Sequence, residues 1–281
     1  MKEIIIVNKK RLERLVNLIK KDGPSEFFVL SDFDGTLTKF FYQGKKRPSL
    51  ISILRDENYL TPQYSKEAKA LYEKYHLIEI DPKIPIKEKF KKMEEWWRIH
   101  FKLLAKYGLK KGHLKKAVKL IMLREGFSKF VSLLRKKSIP LIIISSSGLG
   151  IDAILMVLAK KKKLSNNIFI ISNILKWDKK GNFIRAEEPI VHSLNKDGTI
   201  IKKFPKIFEK IKRRKNILLL ANDIHDLKML NGFSYKNVIK IGFLNEKTKE
   251  NLKEYKKNFD VLILKDGKMN FINNLLKNLF N

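Results

Sequence analysis

The run Phe27-Phe28-Val29-Leu30 stops abruptly in Ser31-Asp32-Phe33-Asp34-Gly35-Thr36, and this junction constrains the fold more than any other stretch of the chain. Four consecutive apolar residues ending in acids and a glycine describe a strand buried on both faces whose carboxyl end opens on a polar site. The pattern recurs at Leu141 to Ile144, which ends in serines, and at 167–171, 216–220, 238–241 and Val261 to Leu264. Helical or hairpin segments separate these runs. The expected architecture is therefore α/β, a doubly wound, largely parallel sheet covered by helices on both faces.

The spacing of Leu12, Leu15, Val16 and Ile19 predicts an opening amphipathic helix that Gly23-Pro24 ends. The interval 45–124 is too long for a crossover and is helical in its periodicity, so it reads as an inserted helical cap subdomain within a core formed by 1–44 and 125–281. Inside it, 83–107 predicts one long helix with Trp96, Ile99 and Leu103 on one face, where core packing is the better role for Trp96. Lys179-Lys180-Gly181-Asn182 predicts a hairpin turn. The stretch 140–159 is almost uncharged and about as long as a membrane span, but Ser145-Ser146-Ser147-Gly148-Leu149-Gly150 interrupts it, so a strand, a loop and a helix are expected and no membrane contact.

Composition narrows the chemistry. The absence of cysteine excludes disulfides, zinc-thiolate sites and cysteine nucleophiles, and permits a reducing compartment. The start, Met1-Lys2-Glu3-Ile4-Ile5-Ile6-Val7, lacks the pattern of a secretory signal, and a cytoplasmic location is expected. A formal net charge of +32 attracts phosphate-rich molecules. The lysines form no single block and accompany no nucleic-acid motif, so a general compositional bias is favoured over a nucleic-acid partner.

In an open parallel sheet the ligand site lies beyond the carboxyl ends of the strands. There the first buried strand delivers Asp32 and Asp34, the second Ser145, the segment after the hairpin Lys196, and a later strand Asn222, Asp223 and Asp226. Carboxylates can hold a hard cation such as Mg2+, while a hydroxyl and an ammonium can hold phosphate oxygens. This is the equipment of phosphoryl transfer. Lys196 alone, in so lysine-rich a chain, would read as a solvated charge, and Ser145 alone as a turn serine; only the ordered set makes them ligands.

Asp32-Phe33-Asp34-Gly35-Thr36-Leu37-Thr38 resembles the first motif of the haloacid dehalogenase (HAD) superfamily. Four further segments resemble the cytosolic 5'-nucleotidase III, or pyrimidine 5'-nucleotidase, family: Ile78-Glu79-Ile80-Asp81-Pro82, Met93-Glu94-Glu95-Trp96, Arg124-Glu125-Gly126-Phe127 and Ile239-Lys240-Ile241-Gly242-Phe243-Leu244-Asn245. The resemblance implies a HAD-like core with an inserted helical cap and a Mg2+-dependent hydrolase that removes the 5'-phosphate of nucleoside monophosphates, pyrimidine ones first. It implies Asp32 as the nucleophile that becomes a transient aspartyl phosphate, and Asp34 as the group that protonates the leaving oxygen and then activates water. Mg2+ would be held by the Asp32 side chain, the Asp34 backbone carbonyl and the last motif. Ser145, Ser146 and Lys196 would bind phosphate, and Glu95 would read the base, with Trp97 and His100 as weaker pocket candidates.

The chain departs from the family in two places. Where the family has Gly-Asp followed after three residues by Asp, this chain has Ala221-Asn222 and then Asp226, so Asn222 takes the metal position unless a one-residue shift brings Asp223 there. The loop after Ser145 carries extra residues, and Lys119-Leu120 stands where the family has Ser-Asp near the base pocket. Two other readings stand beside the leading one: another small-molecule phosphatase of the superfamily, and a catalytically weakened descendant that binds nucleotides or RNA, which Asn222 favours.

Overall fold

The structure, a computed structural model, describes residues 3–160, 165–246 and 248–280. In chain order its first half carries β1 (Ile4–Ile6), α1 (Lys9–Asp22), β2 (Phe27–Ser31), β3 (Phe41–Tyr42), β4 (Lys45–Lys46), α2 (Leu50–Asp56), α3 (Pro62–Ile80), α4 (Ile86–Lys106), α5 (Lys111–Ala117) and α6 (Phe127–Lys136). There follow β5 (Leu141–Ile144), α7 (Gly150–Ala159), β6 (Ile168–Ile171), β7 (Ile174–Trp177), β8 (Phe183–Glu187), α8 (Gly198–Lys202), α9 (Pro205–Ile211), β9 (Asn216–Ala221), β10 (Asn237–Leu244), α10 (Lys249–Asn258), β11 (Val261–Leu264) and α11 (Asn270–Phe280).

Seven strands form one sheet in the order β1-β11-β10-β9-β2-β5-β6, parallel throughout except for β1, which pairs antiparallel with β11. Strict alternation sends Phe27, Val29, Leu141, Ile143, Leu218 and Leu220 to one face. Phe28, Leu30, Ile142, Ile144, Ile217 and Leu219 go to the other. The first face packs against α1, α6, α7 and α11; the second packs against α8, α9 and a 3-10 segment, Ile224–Leu230. Both faces are dry, which is why these strands read as unbroken apolar runs.

The strand β2 lies between β5 and β9, with Ser31 paired to Ile143 on one side and to Leu220 on the other. From β2 the chain winds in both directions, so the crevice beyond its carboxyl end is the topological switch point of the sheet.

The long helix starts at Ile86 rather than at the expected Lys83, because Pro82 and Pro85 bracket Lys83 and Ile84, and a residue that precedes proline is driven out of helical conformation. Along 45–124, Leu50, Ile53, Leu54, Tyr64, Phe101, Leu104 and Leu114 join the apolar cluster on the first face of the sheet. The far ends of α3 and α4 have their own small cluster, in which Tyr75 and Met93 meet Leu194, with Trp96 and Ile99 packed against it. The uncharged stretch 140–159 resolves into β5, a loop and α7, and among the described residues no helix is long and apolar enough to cross a membrane.

Candidate active site

Asp32 follows β2 directly and is held at the sheet edge by its N–H, which donates to Leu220 O at 3.1 Å. Its carboxylate is nearly sealed, with 5% of the residue exposed. One oxygen, Oδ1, pairs with the Lys196 ammonium. Lys196 Nζ also lies 2.7 Å from Asp226 Oδ1. Burial opposes the charge on Lys196, but Asp226 and Asp32 outweigh burial and hold the ammonium above the ordinary lysine range. Burial in turn pushes the Asp226 carboxyl up. One buried cation thus faces two buried carboxylates, a cluster with room for a further positive charge.

That room lies at the other oxygen of Asp32. The end of the Asn222 amide that faces the cluster sits 3.1 Å from Asp32 Oδ2, 3.2 Å from the Asp34 carbonyl and 3.0 Å from Thr36 Oγ1. With its NH2 turned there, Asn222 donates to these oxygens. With its carbonyl turned there, the Asn222 oxygen stands about 3 Å from the Asp32 and the Asp34 oxygens, the edge length of an octahedron with Mg–O bonds of about 2.1 Å. The residues therefore fit a hard cation. Among the described residues no group of three or more His, Cys, Asp or Glu side chains could hold a metal. The donor set here is mixed: one carboxylate, one backbone carbonyl and one amide.

Strand alternation sends Asn222 and Asp223 to opposite sides. Asn222, the first residue past β9, turns inward, and its backbone O accepts from Tyr255 Oη at 2.5 Å. Asp223 turns outward, where its side chain caps the following 3-10 turn and meets His225 N and Nδ1, both at 2.8 Å. Gly35 sits between Asp34 and Asn222 with φ of 72°, and a Cβ there would lie 2.8 Å from Asn222 Nδ2. Glycine supplies both the left-handed backbone and the clearance.

Asp34 is half-buried, but its Oδ1 is sealed without a hydrogen-bond partner. Burial, and after it the charge of Asp32, pushes its carboxyl up to about 8. A carboxylic acid that keeps its proton at neutral pH can donate it. Ser145 is buried just past β5, and its Oγ accepts from Ser147 N at 3.2 Å; Ser146 is half-buried beside it. Asn173 joins this loop to the segment that carries Lys196, donating to Ser147 O at 3.1 Å and to Val191 O at 2.9 Å.

Glu95 touches none of these groups. It accepts from Tyr75 Oη at 2.7 Å and from Lys92 Nζ at 2.8 Å, bonds that hold its carboxyl below the usual range. From Tyr75 a column of stacked rings runs through Trp96, at 5.8 Å, to Trp97, at 6.0 Å. Trp97 closes on the loop that carries Ser145 and Ser146, since a Cβ on Gly148 would stand 2.5 Å from its Cζ3. His100 is buried with its Nε2 3.1 Å from Tyr64 Oη, and burial lowers it to about 4. Sequence reasoning assigned no role to Arg124, Asn245, Asn173 or Thr36, all of which hold backbone or side chains in place around the carboxylates.

A family model described as Pyrimidine 5'-nucleotidase (UMPH-1) matches residues 35–280. The chain belongs to the pyrimidine 5'-nucleotidase family. It is accordingly a 5'-nucleotidase, a phosphoric monoester hydrolase, as the sequence motifs implied. It is 33% identical over 272 residues to the human 7-methylguanosine phosphate-specific 5'-nucleotidase, covering 96% of this chain and 90% of that protein. Its likeness to the Drosophila melanogaster protein of the same name is 29% over 269 residues, 94% and 83% of the two chains. Cytosolic 5'-nucleotidase IIIB, solved with bound cytidine, superposes with a TM-score of 0.83 at 27% identity, over 99% of this chain and 94% of that one. A phosphoserine phosphatase superposes with a TM-score of 0.51 at 20% identity, over 88% and 96%, a likeness of fold. The HAD-like, mainly parallel α/β core expected from the sequence is thereby borne out.

Proposed function

We propose that this nucleotidase hydrolyses nucleoside 5'-monophosphates with Mg2+ through an aspartyl-phosphate intermediate. The observation that carries the reading is the meeting of the Asp32 carboxylate, the Lys196 ammonium, the Asn222 amide and the Asp34 carbonyl at the switch point of the sheet. Asp32 attacks phosphorus. The protonated Asp34 carboxyl donates to the leaving ribose oxygen and, once ionised, withdraws a proton from the water that cleaves the acyl phosphate. Lys196 and the Ser145–Ser146 loop neutralise and orient the phosphate oxygens. Asp32, the Asp34 carbonyl and Asn222 would hold Mg2+, which supplies charge neutralisation at the transferring phosphoryl group.

In this conformation the site is shut: Asp32 and Lys196 are each 5% exposed and Ser145 1%. The far ends of α3 and α4 act as the cap. They are latched to the segment that leads to Lys196 by Arg98–Glu188 at 2.6 Å, by Ser193 Oγ on Glu79, and by the Phe90 and His192 rings at 4.7 Å. Substrate entry requires this latch to open, and its closure excludes water from the reaction. The base packs against the half-buried Trp96 and Trp97 of the ring column, backed by the buried Tyr75 and flanked by Glu95. An ionised carboxylate beside stacked aromatic rings suits a cationic base, and two relatives are named for 7-methylguanosine phosphate. That nucleotide therefore heads the candidates, ahead of unmodified pyrimidine nucleotides.

The test is phosphate release from 7-methylguanosine, cytidine, uridine, adenosine and guanosine monophosphates with Mg2+ and with chelator. Release that needs Mg2+ and is fastest with the methylated nucleotide is expected. Chelator-insensitive release would overturn the metal reading, and a slow methylated substrate would overturn the base assignment. A second expectation concerns the metal ligand. Asn222→Asp adds an anionic ligand and should lower the Mg2+ concentration for half-maximal rate by roughly tenfold, about 1.4 kcal/mol. Asp223→Asn should leave it unchanged. A Mg2+ titration in which Asp223→Asn raised the requirement would reverse the assignment.

A further inference from the structure

Two family motifs, the one at Arg124 and the one ending at Asn245, take no part in the chemistry above, yet the fold brings them together beneath the acidic loop. Arg124 is 2% exposed, its side chain wholly buried. Its guanidinium donates to Thr36 O at 2.7 Å, Gly35 O at 2.5 Å, Gly267 O at 2.8 Å and Asn245 Oδ1 at 2.7 Å, and pairs with Asp266 at 3.0 Å. Asn245 Nδ2 donates to the same Gly35 carbonyl at 2.9 Å. Asp266 in turn accepts from Phe40 N at 2.8 Å and Phe41 N at 3.1 Å. The Phe243 ring lies under the guanidinium, 4.1 Å from its centre.

We infer that Arg124 and Asn245 are positioning residues that clamp the loop carrying Asp34, and so fix its carboxyl and carbonyl against Asp32 and Asn222. The inference rests on the nucleotidase reading for its catalytic consequence. Gly35, whose carbonyl takes both clamp donors, is the residue next to Asp34. Its left-handed φ gives the loop freedom that the clamp removes. Only a planar fork can reach two successive carbonyls, a side-chain amide and a carboxylate at once, so lysine cannot replace Arg124 in this lysine-rich chain. Displacing a reacting group by about 1 Å costs on the order of a hundredfold in rate.

The test compares Arg124→Lys and Asn245→Ala with Asn216→Ala. Asn216 is equally buried and bonds Asp22 at 3.1 Å and Asn237 at 2.8 Å, but at the amino end of β9, away from the site. Hydrogen exchange over 33–41 reads the clamp without substrate. Gly35, Thr36, Leu37 and Thr38 N–H groups are all bonded within that turn. Exchange there should rise by about tenfold in both clamp variants and not in the control. Alongside, kcat should fall by about a hundredfold in Arg124→Lys with KM within about threefold. The double variant should lose less than the product of the single losses, because both donors serve one carbonyl. Unchanged exchange in the clamp variants, or equal acceleration in Asn216→Ala, overturns the clamp. Faster exchange with kcat unchanged overturns its catalytic role. A parent chain that releases no phosphate overturns the nucleotidase reading instead, and the exchange result still judges the clamp.

Discussion

Asp32→Asn should reduce phosphate release to less than about one ten-thousandth of the parent rate while leaving the fold and melting temperature nearly unchanged. The amide has the shape of the carboxylate but no anionic oxygen to attack phosphorus, so the covalent step is lost rather than slowed. Stability is spared because Lys196 keeps Asp226 at 2.7 Å when Asp32 loses its charge. The cluster moves from one cation facing two anions to one facing one. With its oxygen kept toward Lys196, the new amide places its NH2 where Asp32 Oδ2 stood, and Asn222 accepts from it by presenting its own carbonyl there, the orientation in which it also accepts from Thr36 Oγ1. Residual turnover above about 1%, measured with saturating Mg2+ and with circular dichroism matching the parent, would place the nucleophile elsewhere.

How much of this was legible in the sequence depends on how local the determining interactions are. Leu141–Ile144 and Val261–Leu264 were read with their observed bounds because a strand buried on both faces announces itself as an apolar run closed by polar residues. β1 went unread: Ile4–Ile6 becomes a strand only through antiparallel pairing with β11, 255 to 259 residues away. α11 went unread because Asn270, Asn273, Asn274 and Asn278 make its sequence a weak helix former, and burial of Ile272, Leu275, Leu276 and Leu279 against the sheet overrides that propensity.

The candidate site divides in the same way. Asp32 and Asp34 stand out as candidates because they sit at a strand end, whereas which of Asn222 and Asp223 faces them depends on where β9 stops, and one residue of shift exchanges inward for outward. Arg124 was visible only as part of a motif. Its work is done on carbonyls and side chains 88 to 143 residues away along the chain, a network that leaves no periodic trace. The one local hint is that arginine stands there in a chain that otherwise prefers lysine.

Lys196→Met should be the most damaging single change to stability and activity together. Phosphate release should fall about a thousandfold, near 4 kcal/mol of transition-state stabilisation, because the ammonium that balances the incoming phosphate against Asp32 is gone. The folded state suffers as well. Removing one partner of a buried ion pair costs about 3–5 kcal/mol, which for a chain of this size lowers the melting temperature by roughly 5–9 °C. The pH dependence gives the charge state away. Without the ammonium, Asp32 and Asp226 face each other in a buried site, and Asp226, already raised by burial, rises further. A carboxyl whose folded-state pKa lies above its unfolded value contributes stability at low pH and loses it as pH climbs through the folded value. The gap in melting temperature between variant and parent should therefore be widest near pH 8 and shrink toward pH 5, where the pair takes up a proton. In the parent, Lys196 is charged throughout that range and contributes no slope of its own. A gap that stayed constant with pH, or widened toward acid, would mean that the cluster does not hold one cation between two ionised carboxylates.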